Sequence, residues 1–141
     1  MQMSPYLSFK GDCEEAFKFY EQSLGGRPGE LFRYGGTPMA EQAPAEWADK
    51  IMHGSLTIGD QVLMGADMPP GQYEEPKGIS LSLHIKSAAD AERTFNDLAK
   101  DGTIVMPLEK TFWAARFGML VDRFGIPWMI NCEGTDQPSE G

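Results

Sequence analysis

The sequence lacks the features that define several large classes of protein. Two cysteines in 141 residues are too few for a disulfide framework, so we interpret Cys13 and Cys132 as free thiols in a reducing cytoplasm. No apolar run approaches the roughly 18 residues that a membrane helix needs, and Met1-Gln2-Met3-Ser4 does not begin a signal peptide. These absences predict a cytoplasmic protein that does not interact with a membrane.

Basic residues are also scarce. Lys and Arg number 12 against 21 Asp and Glu, which gives a net charge of -9 and argues against nucleic acid as a partner. The sequence has no phosphate loop, no Cys-x-x-Cys and no Ser-His-Asp spacing. It also has no G-x-G-x-x-G between a strand and a helix. We therefore do not expect methyltransferase activity that depends on a nucleotide-type cofactor.

The predicted elements of the chain are arranged around two glycine turns, at Gly59 and Gly125. Each lies between a strand and an apolar return strand, and glycine readily adopts the positive φ that such a turn needs. Before each hairpin, the pattern predicts a strand, a capped helix and another strand. The predicted capping boxes and helix ends are Asp12, Glu15 and Gly25-Gly26 in the first half and Ser87, Asp90 and Gly102 in the second.

The two halves of the chain repeat one plan. Lys, Phe and Gly at positions 10, 19 and 26 recur at 86, 95 and 102, each 76 residues later, and the hairpin glycines lie 66 apart. The chain is therefore β-α-β-β-β twice, which predicts an α+β fold in a single domain over 1–141. Repeat 1 spans 3–67, a linker 68–77, repeat 2 78–133 and a polar tail 134–141.

Several strings identify a family resemblance over nearly the whole chain. They are Pro5-Tyr6-Leu7-Ser8-Phe9, Leu24-Gly25-Gly26, Met52-His53, Met106-Pro107-Leu108, Thr111-Phe112-Trp113, Arg116-Phe117-Gly118 and Asp122 through Trp128. With these strings on a tandem repeat, the chain resembles the PhnB-like branch of the vicinal-oxygen-chelate superfamily. That superfamily includes glyoxalase I, bleomycin-resistance proteins and extradiol dioxygenases. Some members of the branch carry the label 3-demethylubiquinone-9 3-methyltransferase.

The resemblance implies concave half-barrel sheets with the helices outside and a pocket between the repeats. It also implies four inward positions that hold a divalent cation in metal-dependent members. Carried over, these fall near Pro5 or Tyr6, on His53, near Ser80 and near Met129. Only His53 is a good ligand, whereas a catalytic Zn, Ni or Fe site needs about three. We therefore expect no cofactor, and a divalent metal stays open as the alternative.

Strand alternation predicts which polar side chains face the pocket. Ile79, Leu81, Leu83 and Ile85 form one apolar face of a strand over 79–86, with polar side chains opposite. The polar candidates on the two strands are His53, Ser55, Ser80, Ser82 and His84. For both histidines, the alternative is a strand histidine that is merely hydrogen-bonded. Tyr6 adds a hydroxyl if its strand register points it inward.

Phe112, Trp113 and Arg116 are the remaining candidates. Aromatic walls with one guanidinium suit a small anionic or carbonyl-bearing ligand. The alternative is a structural aromatic cluster in which Arg116 pairs with a surface carboxylate. Cys13 and Cys132 fall on helix-packed faces and are predicted to be inert.

Three functions remain open. The first is a metal-free homodimer that binds a small organic molecule, because related folds often close their half-barrels across subunits. The second is a metal-dependent lyase, isomerase or dioxygenase, with His53 as the candidate catalytic residue. The third is a resistance-type protein that sequesters a toxic compound without turnover.

Overall fold

The computed structural model describes residues 1–38, 41 and 43–133, in two compact units over Met1–Glu75 and Pro76–Gly141. The predicted tail at 134–141 lies outside the described residues. Each unit has one helix of 12 residues, and no helix in the described chain is long and apolar enough to cross a membrane.

The first unit is a four-stranded sheet with one α-helix and a short 3₁₀ helix at Ala45–Trp47. Its elements are β1 (Tyr6–Phe9), α1 (Cys13–Leu24), β2 (Arg27–Arg33), β3 (Ile51–Ile58) and β4 (Gln61–Asp67). The strand order is β1-β4-β3-β2, with β1 parallel to β4 and the other pairs antiparallel. The predicted glycine turn joins β3 to β4, where Gly59 has a φ of 60°.

The second unit has the same plan. Its elements are β5 (Leu81–His84), α2 (Ala88–Ala99), β6 (Thr103–Glu109), β7 (Arg116–Val121) and β8 (Pro127–Cys132). The strand order β5-β8-β7-β6 matches that of the first unit, and again only the first pair is parallel. Because β6 starts and ends 76 residues after β2, the predicted α+β fold of two β-α-β-β-β repeats is confirmed.

Each helix packs on one face of its own sheet. In the first unit the core includes Leu7, Phe9, Phe17 and Leu56, and the Phe9 and Phe17 rings meet edge to face at 6.0 Å. In the second unit, the buried side chains under α2 include Phe95, Leu98, Leu120 and Ile130. Alternation then leaves the opposite face of each sheet for other contacts.

The start of α1 differs from the predicted capping box. Asp12 is the N-cap residue, but its side chain makes no capping hydrogen bond. Its Oδ1 atom is buried without a hydrogen-bond partner among the described residues, and burial raises the pKa of this carboxyl. Instead, the carboxylate of Asp67 accepts the N–H groups of Gly11 and Cys13, at 3.0 and 2.9 Å. A residue 54 positions away in the sequence thus satisfies the start of this helix.

Two predictions for the second unit are also wrong in detail. The strand predicted over 79–86 is shorter, so Ile79 is 71% exposed and Ser80 lies outside β5. Its partner strand β8 begins at Pro127, which has no N–H for a ladder, and pairing starts at Leu81 with Trp128. In addition, α2 ends at Ala99, before the predicted helix end at Gly102, and Asp101 has a φ of 60°.

Candidate functional site

Three rings stack on the face of the first sheet that α1 does not cover. The Tyr6 hydroxyl lies 3.0 Å from Nδ1 of His53, and the two rings are stacked with their centroids 5.6 Å apart. Phe32 stacks on His53 at 6.4 Å with an interplanar angle of 23°. The structure therefore brings together two of the residues predicted from the sequence, Tyr6 and His53, and adds Phe32.

The strand order explains why these rings meet. Phe32 on β2 pairs directly with His53 on β3, so their side chains project from the same face. Tyr6 lies on β1, on the far side of β4, and its long side chain reaches across to the imidazole. Tyr6 and Phe32 are 49% and 46% exposed, so the cluster forms an open surface rather than a closed core.

The Tyr6 hydroxyl keeps its proton at neutral pH. Partial burial, with a smaller effect from Cys13, raises the pKa of this phenol above its ordinary value. A protonated phenol can donate to Nδ1 of His53, and that assignment leaves the imidazole proton on Nε2. The cluster then offers one N–H donor flanked by two aromatic rings.

Ser55 has a structural role in the first sheet. Its Oγ atom accepts a hydrogen bond of 3.0 Å from the backbone N–H of Glu30. The pairing of β2 with β3 shifts between Pro28 and Leu31, so Gly29 and Glu30 together oppose Ser55. The hydroxyl therefore satisfies a backbone donor at a β-bulge, where one ladder bond is lost.

The corresponding face of the second sheet has polar residues without a ring stack. Ser82 and His84 are exposed on β5, and Nδ1 of His84 lies 3.4 Å from the amide nitrogen of Asn131 on β8. His84, Asn131 and Glu133 line an open depression at this end of the sheet. Ser80 is not part of this strand face.

Arg116 makes contacts of a different kind from those of Phe112 and Trp113. Arg116 donates from Nε to the Glu92 carboxylate on α2 at 3.3 Å, and from a terminal nitrogen to the Ala115 carbonyl at 2.7 Å. The Phe112 and Trp113 rings meet edge to face at 4.7 Å, and Phe112 is 96% exposed. The guanidinium therefore contacts a helix carboxylate, and the two rings face outward.

The structural roles of two buried carboxylates, Asp67 and Asp122, were not predicted from the sequence. Asp67 is 1% exposed and also accepts the Ile51 N–H at 2.9 Å, which ties the start of β3 to the end of β4. Asp122 is 3% exposed and accepts the indole N–H of Trp128 at 2.9 Å and two turn N–H groups. Acidic residues inside apolar strand ends are the sequence signal that could have indicated them, because a buried charge needs several donors.

The two cysteines are buried, as predicted. Cys13 and Cys132 are both 0% exposed and unpaired with each other. Burial, and then the carboxylate of Asp67, raises the pKa of the Cys13 thiol. The Cys13 sulfur is therefore a protonated core atom rather than a nucleophile.

The positions carried over for a cation do not supply a ligand set. Of Tyr6, His53, Ser80 and Met129, only His53 is a common ligand for Zn, Ni or Fe. Across residues 1–38, 41 and 43–133, no group of three or more His, Cys, Asp or Glu side chains is arranged to hold a metal ion. We derive no chemical step through a metal.

Comparison with known proteins identifies the family. Residues 2–130 match the model of the glyoxalase/bleomycin resistance protein/dioxygenase superfamily. The protein YjdN of Escherichia coli K12 is 34% identical over 139 residues, covering 93% of this chain and 95% of YjdN. Protein PA1353 of Pseudomonas aeruginosa is 50% identical, with a TM-score of 0.87 over 96% of this chain and 99% of that one.

A more distant structure shares the fold. It is a putative 3-demethylubiquinone-9 3-methyltransferase, the PhnB protein of Bacillus cereus, at 24% identity and a TM-score of 0.80. The match covers 94% of this chain and 99% of that protein. By its matched residues, its repeat and its strand order, the chain belongs to the glyoxalase/bleomycin resistance protein/dioxygenase superfamily, with PhnB-like proteins among its structural neighbours.

Proposed function

We propose that this protein binds a small organic molecule on the open face of its first sheet, at the stack of Tyr6, His53 and Phe32. The observation that carries the proposal is the 3.0 Å contact between the Tyr6 hydroxyl and Nδ1 of His53. It fixes the orientation of an imidazole between two half-exposed rings. A polar group held within apolar walls is the usual composition of a small-molecule site.

The chemistry of the stack favours a planar ligand that carries an oxygen acceptor. The Tyr6 phenol, whose pKa is raised by partial burial, can donate to Nδ1 of His53, and in that tautomer Nε2–H is a donor for the ligand. A carbonyl or carboxylate oxygen would accept from Nε2. The Phe32 ring, 46% exposed, would cover the face of a planar ligand by offset or edge-to-face stacking.

The proposal does not include a metal. Among the carried-over positions, His53 is a common metal ligand, whereas a catalytic metal site needs about three protein ligands. The other carried-over positions, Ser80 and Met129, are poor ligands for a hard or borderline cation. Binding of a small molecule without a metal is therefore the function that these residues support best.

We further propose a cytoplasmic homodimer. The free, buried thiols of Cys13 and Cys132 suit a reducing compartment. Exposed apolar side chains on the second unit supply a surface for a second copy, and their contact is argued in the next subsection.

The test is ligand binding in matched variants of the two histidines. With benzoate as the first probe, in a panel of planar aromatic carboxylates and ketones, we expect saturable shifts in the NMR spectrum of the wild-type protein. His53→Ala and Tyr6→Phe should weaken binding at least tenfold, because each removes part of the donor pair.

His84→Ala is the control, because it removes the equivalent imidazole from the second unit and should leave the affinity unchanged. Treatment with a chelator should also leave the affinity unchanged. Unaltered binding in His53→Ala would contradict the proposed site. Binding that disappears with the chelator would instead favour the metal-dependent alternative.

A further inference from the structure

The second unit exposes large apolar side chains on β6 and in the loop that follows it. Ile104, Val105 and Met106 on β6 are 51%, 59% and 43% exposed, and Phe112 and Trp113 in the following loop are 96% and 52% exposed. We name residues 104–113 the apolar segment; Glu109, Lys110 and Thr111 separate its strand end from its aromatic end. Exposed aromatic side chains next to one another are a common mark of an interaction site.

The aromatic end of the apolar segment projects into solvent. The Trp113 ring rests edge to face on the buried Phe117 at 5.4 Å, and Phe112 meets Trp113 at 4.7 Å. Trp113 is thus supported from within the unit, while Phe112 extends into solvent. Large aromatic side chains of this kind are the ones that concentrate binding energy in an interface. Lys110 places a positive charge two residues before Phe112.

The first unit has a groove of the opposite character, between α1 and β2. It encloses about 120 Å³ and is open on one side. Its floor is apolar, and its rim carries three carboxylates and one amine. The floor residues are Phe17, Leu31 and Leu56, and the charged residues of the rim are Glu14, Lys18, Glu21 and Glu30.

The bulge in β2 lies beside this groove. Gly29 and Glu30, which together oppose the single residue Ser55, both line the groove. On the rim, Glu14 is held by Arg33 at 2.8 Å. Glu21 and Glu30 are therefore the carboxylates placed to meet an incoming cation.

A second groove lies beside α2, in a part of the chain that carries a smaller surplus of acidic residues. Residues 1–75 carry 12 acidic and 5 basic side chains, whereas residues 76–141 carry 9 and 7. The groove beside α2 includes Glu92, which already pairs with Arg116, and is lined in part by Ile104 of the apolar segment itself. Only the first groove combines an apolar floor with a surplus of carboxylates and lies outside the segment.

We propose that the apolar segment of one copy docks into the α1–β2 groove of a second copy. Phe112 enters the apolar floor, and Lys110 lies against Glu21 and Glu30. Each copy carries one segment and one groove, so a homodimer built in this way would contain two such contacts related by its twofold axis. The inference rests on the proposed homodimer and supplies its contact surface, independently of the ligand site at His53.

The first test is the mass in solution, by light scattering and sedimentation across a dilution series. The wild-type protein should have about twice the 15.6 kDa mass of one chain. Phe112→Ser should raise the dimer dissociation constant at least tenfold. Because Phe112 is 96% exposed, this variant should fold as the wild type does. Ile79→Ser is the matched control, since it removes a 71% exposed apolar side chain of the same unit outside the segment.

A charge exchange tests the partner surface. Lys110→Glu, and separately Glu21→Lys with Glu30→Lys, should each weaken the dimer a few-fold, and the three substitutions together should restore it. A wild-type mass of one chain at every concentration would overturn the homodimer and this contact together. A dimer that persists unchanged in Phe112→Ser, with no rescue by the exchange, would overturn this contact alone.

Discussion

The two repeats share one topology but use the open faces of their sheets differently. In the first, Tyr6 and Phe32 stack on either side of His53. In the second, His84 is exposed, and its Nδ1 lies 3.4 Å from the amide nitrogen of Asn131. A duplicated scaffold therefore allows one copy to specialise, because the strand order preserves positions and not side-chain chemistry.

The repeats also place their buried carboxylates differently. Asp67 lies at the end of β4 and holds the start of α1 and the start of β3. Asp122 lies in the turn before β8 and holds that turn together with the Trp128 indole. Each unit thus relies on one carboxylate, at a position that the other unit does not use.

Removing these carboxylates should have the largest effect on stability. In Asp67→Ala two buried N–H groups and one partly buried N–H group lose their acceptor, so we expect the free energy of unfolding to fall by about 3 to 5 kcal/mol. Asp67→Asn keeps one acceptor oxygen and should cost about 1 to 3 kcal/mol. Urea unfolding followed by circular dichroism measures both changes.

Two comparisons sharpen this result. Asp122→Ala should cost about as much as Asp67→Ala, because Asp122 also accepts three hydrogen bonds. Asp60→Ala, at an exposed turn, should stay within about 0.5 kcal/mol of the wild type. A loss below about 1 kcal/mol in Asp67→Ala would show that the first unit does not depend on this carboxylate.

Substitution of two equivalent glycines, Gly26 and Gly102, should have the next largest effect on stability. A Cβ at Gly102 would meet the backbone of Val121 and Asp122, which cannot move aside, whereas at Gly26 it would meet Ile58 Cγ1 and the Thr57 carbonyl at 2.9 Å. Overpacking of this kind costs about 1 to 3 kcal/mol. We therefore expect Gly102→Ala to destabilise the protein more than Gly26→Ala in urea unfolding.

Gln22→Ala is the control for this pair. Gln22 is exposed on α1, and Gln and Ala differ little in helix propensity, so its effect should stay within about 0.5 kcal/mol. A larger loss of stability in Gly26→Ala than in Gly102→Ala would mean that the backbone near Gly102 moves to accommodate the added Cβ.

The smallest expected effect comes from the ion pairs of the two units. The hydrogen bond from Arg33 lowers the pKa of Glu14, so this pair stabilises the protein above the ordinary glutamate pKa and the effect disappears as the pH falls through the lowered value. Because the Glu14 side chain is 39% exposed, Glu14→Gln should cost only about 0.2 to 1 kcal/mol at pH 7.

The pH dependence separates this pair from a packing effect. The difference between wild type and Glu14→Gln should be constant from pH 7 to about pH 5 and shrink below pH 4.5, in urea titrations at each pH. Glu92→Gln should cost less, because the contact of Glu92 with Arg116 is longer, at 3.3 Å, and the Glu92 side chain is 54% exposed. A difference that does not shrink at all below the ordinary glutamate pKa would contradict the electrostatic cause.

Local pattern was enough to predict the repeat and the order of its elements. The 76-residue spacing, the cap of α2 at Ser87 and the turns at Gly59 and Gly125 all depend on neighbouring residues. Ser87 does accept the Asp90 N–H, at 3.1 Å. Features of this kind follow from the conformational propensities of neighbouring residues and from short-range hydrogen bonds. A single sequence is therefore enough to predict them.

Features that depend on distant residues could not be predicted in this way. The cap of α1 fails at Asp12 because Asp67, far along the chain, supplies the acceptor. Phe32 was missed because its pairing with His53 depends on the bulge in β2. The strand predicted over 79–86 was too long because its partner begins at a proline. The ligand-binding roles predicted for Phe112, Trp113 and Arg116 stay predictions.

The buried thiols give the molecule two built-in reporters. The chain has two cysteines, one in each unit, and both are 0% exposed. A thiol reagent can reach Cys13 only when the first unit opens, and Cys132 only when the second does. The modification rates of the two sulfurs would therefore show, without any label or substitution, whether the tandem halves open as one cooperative body or one at a time.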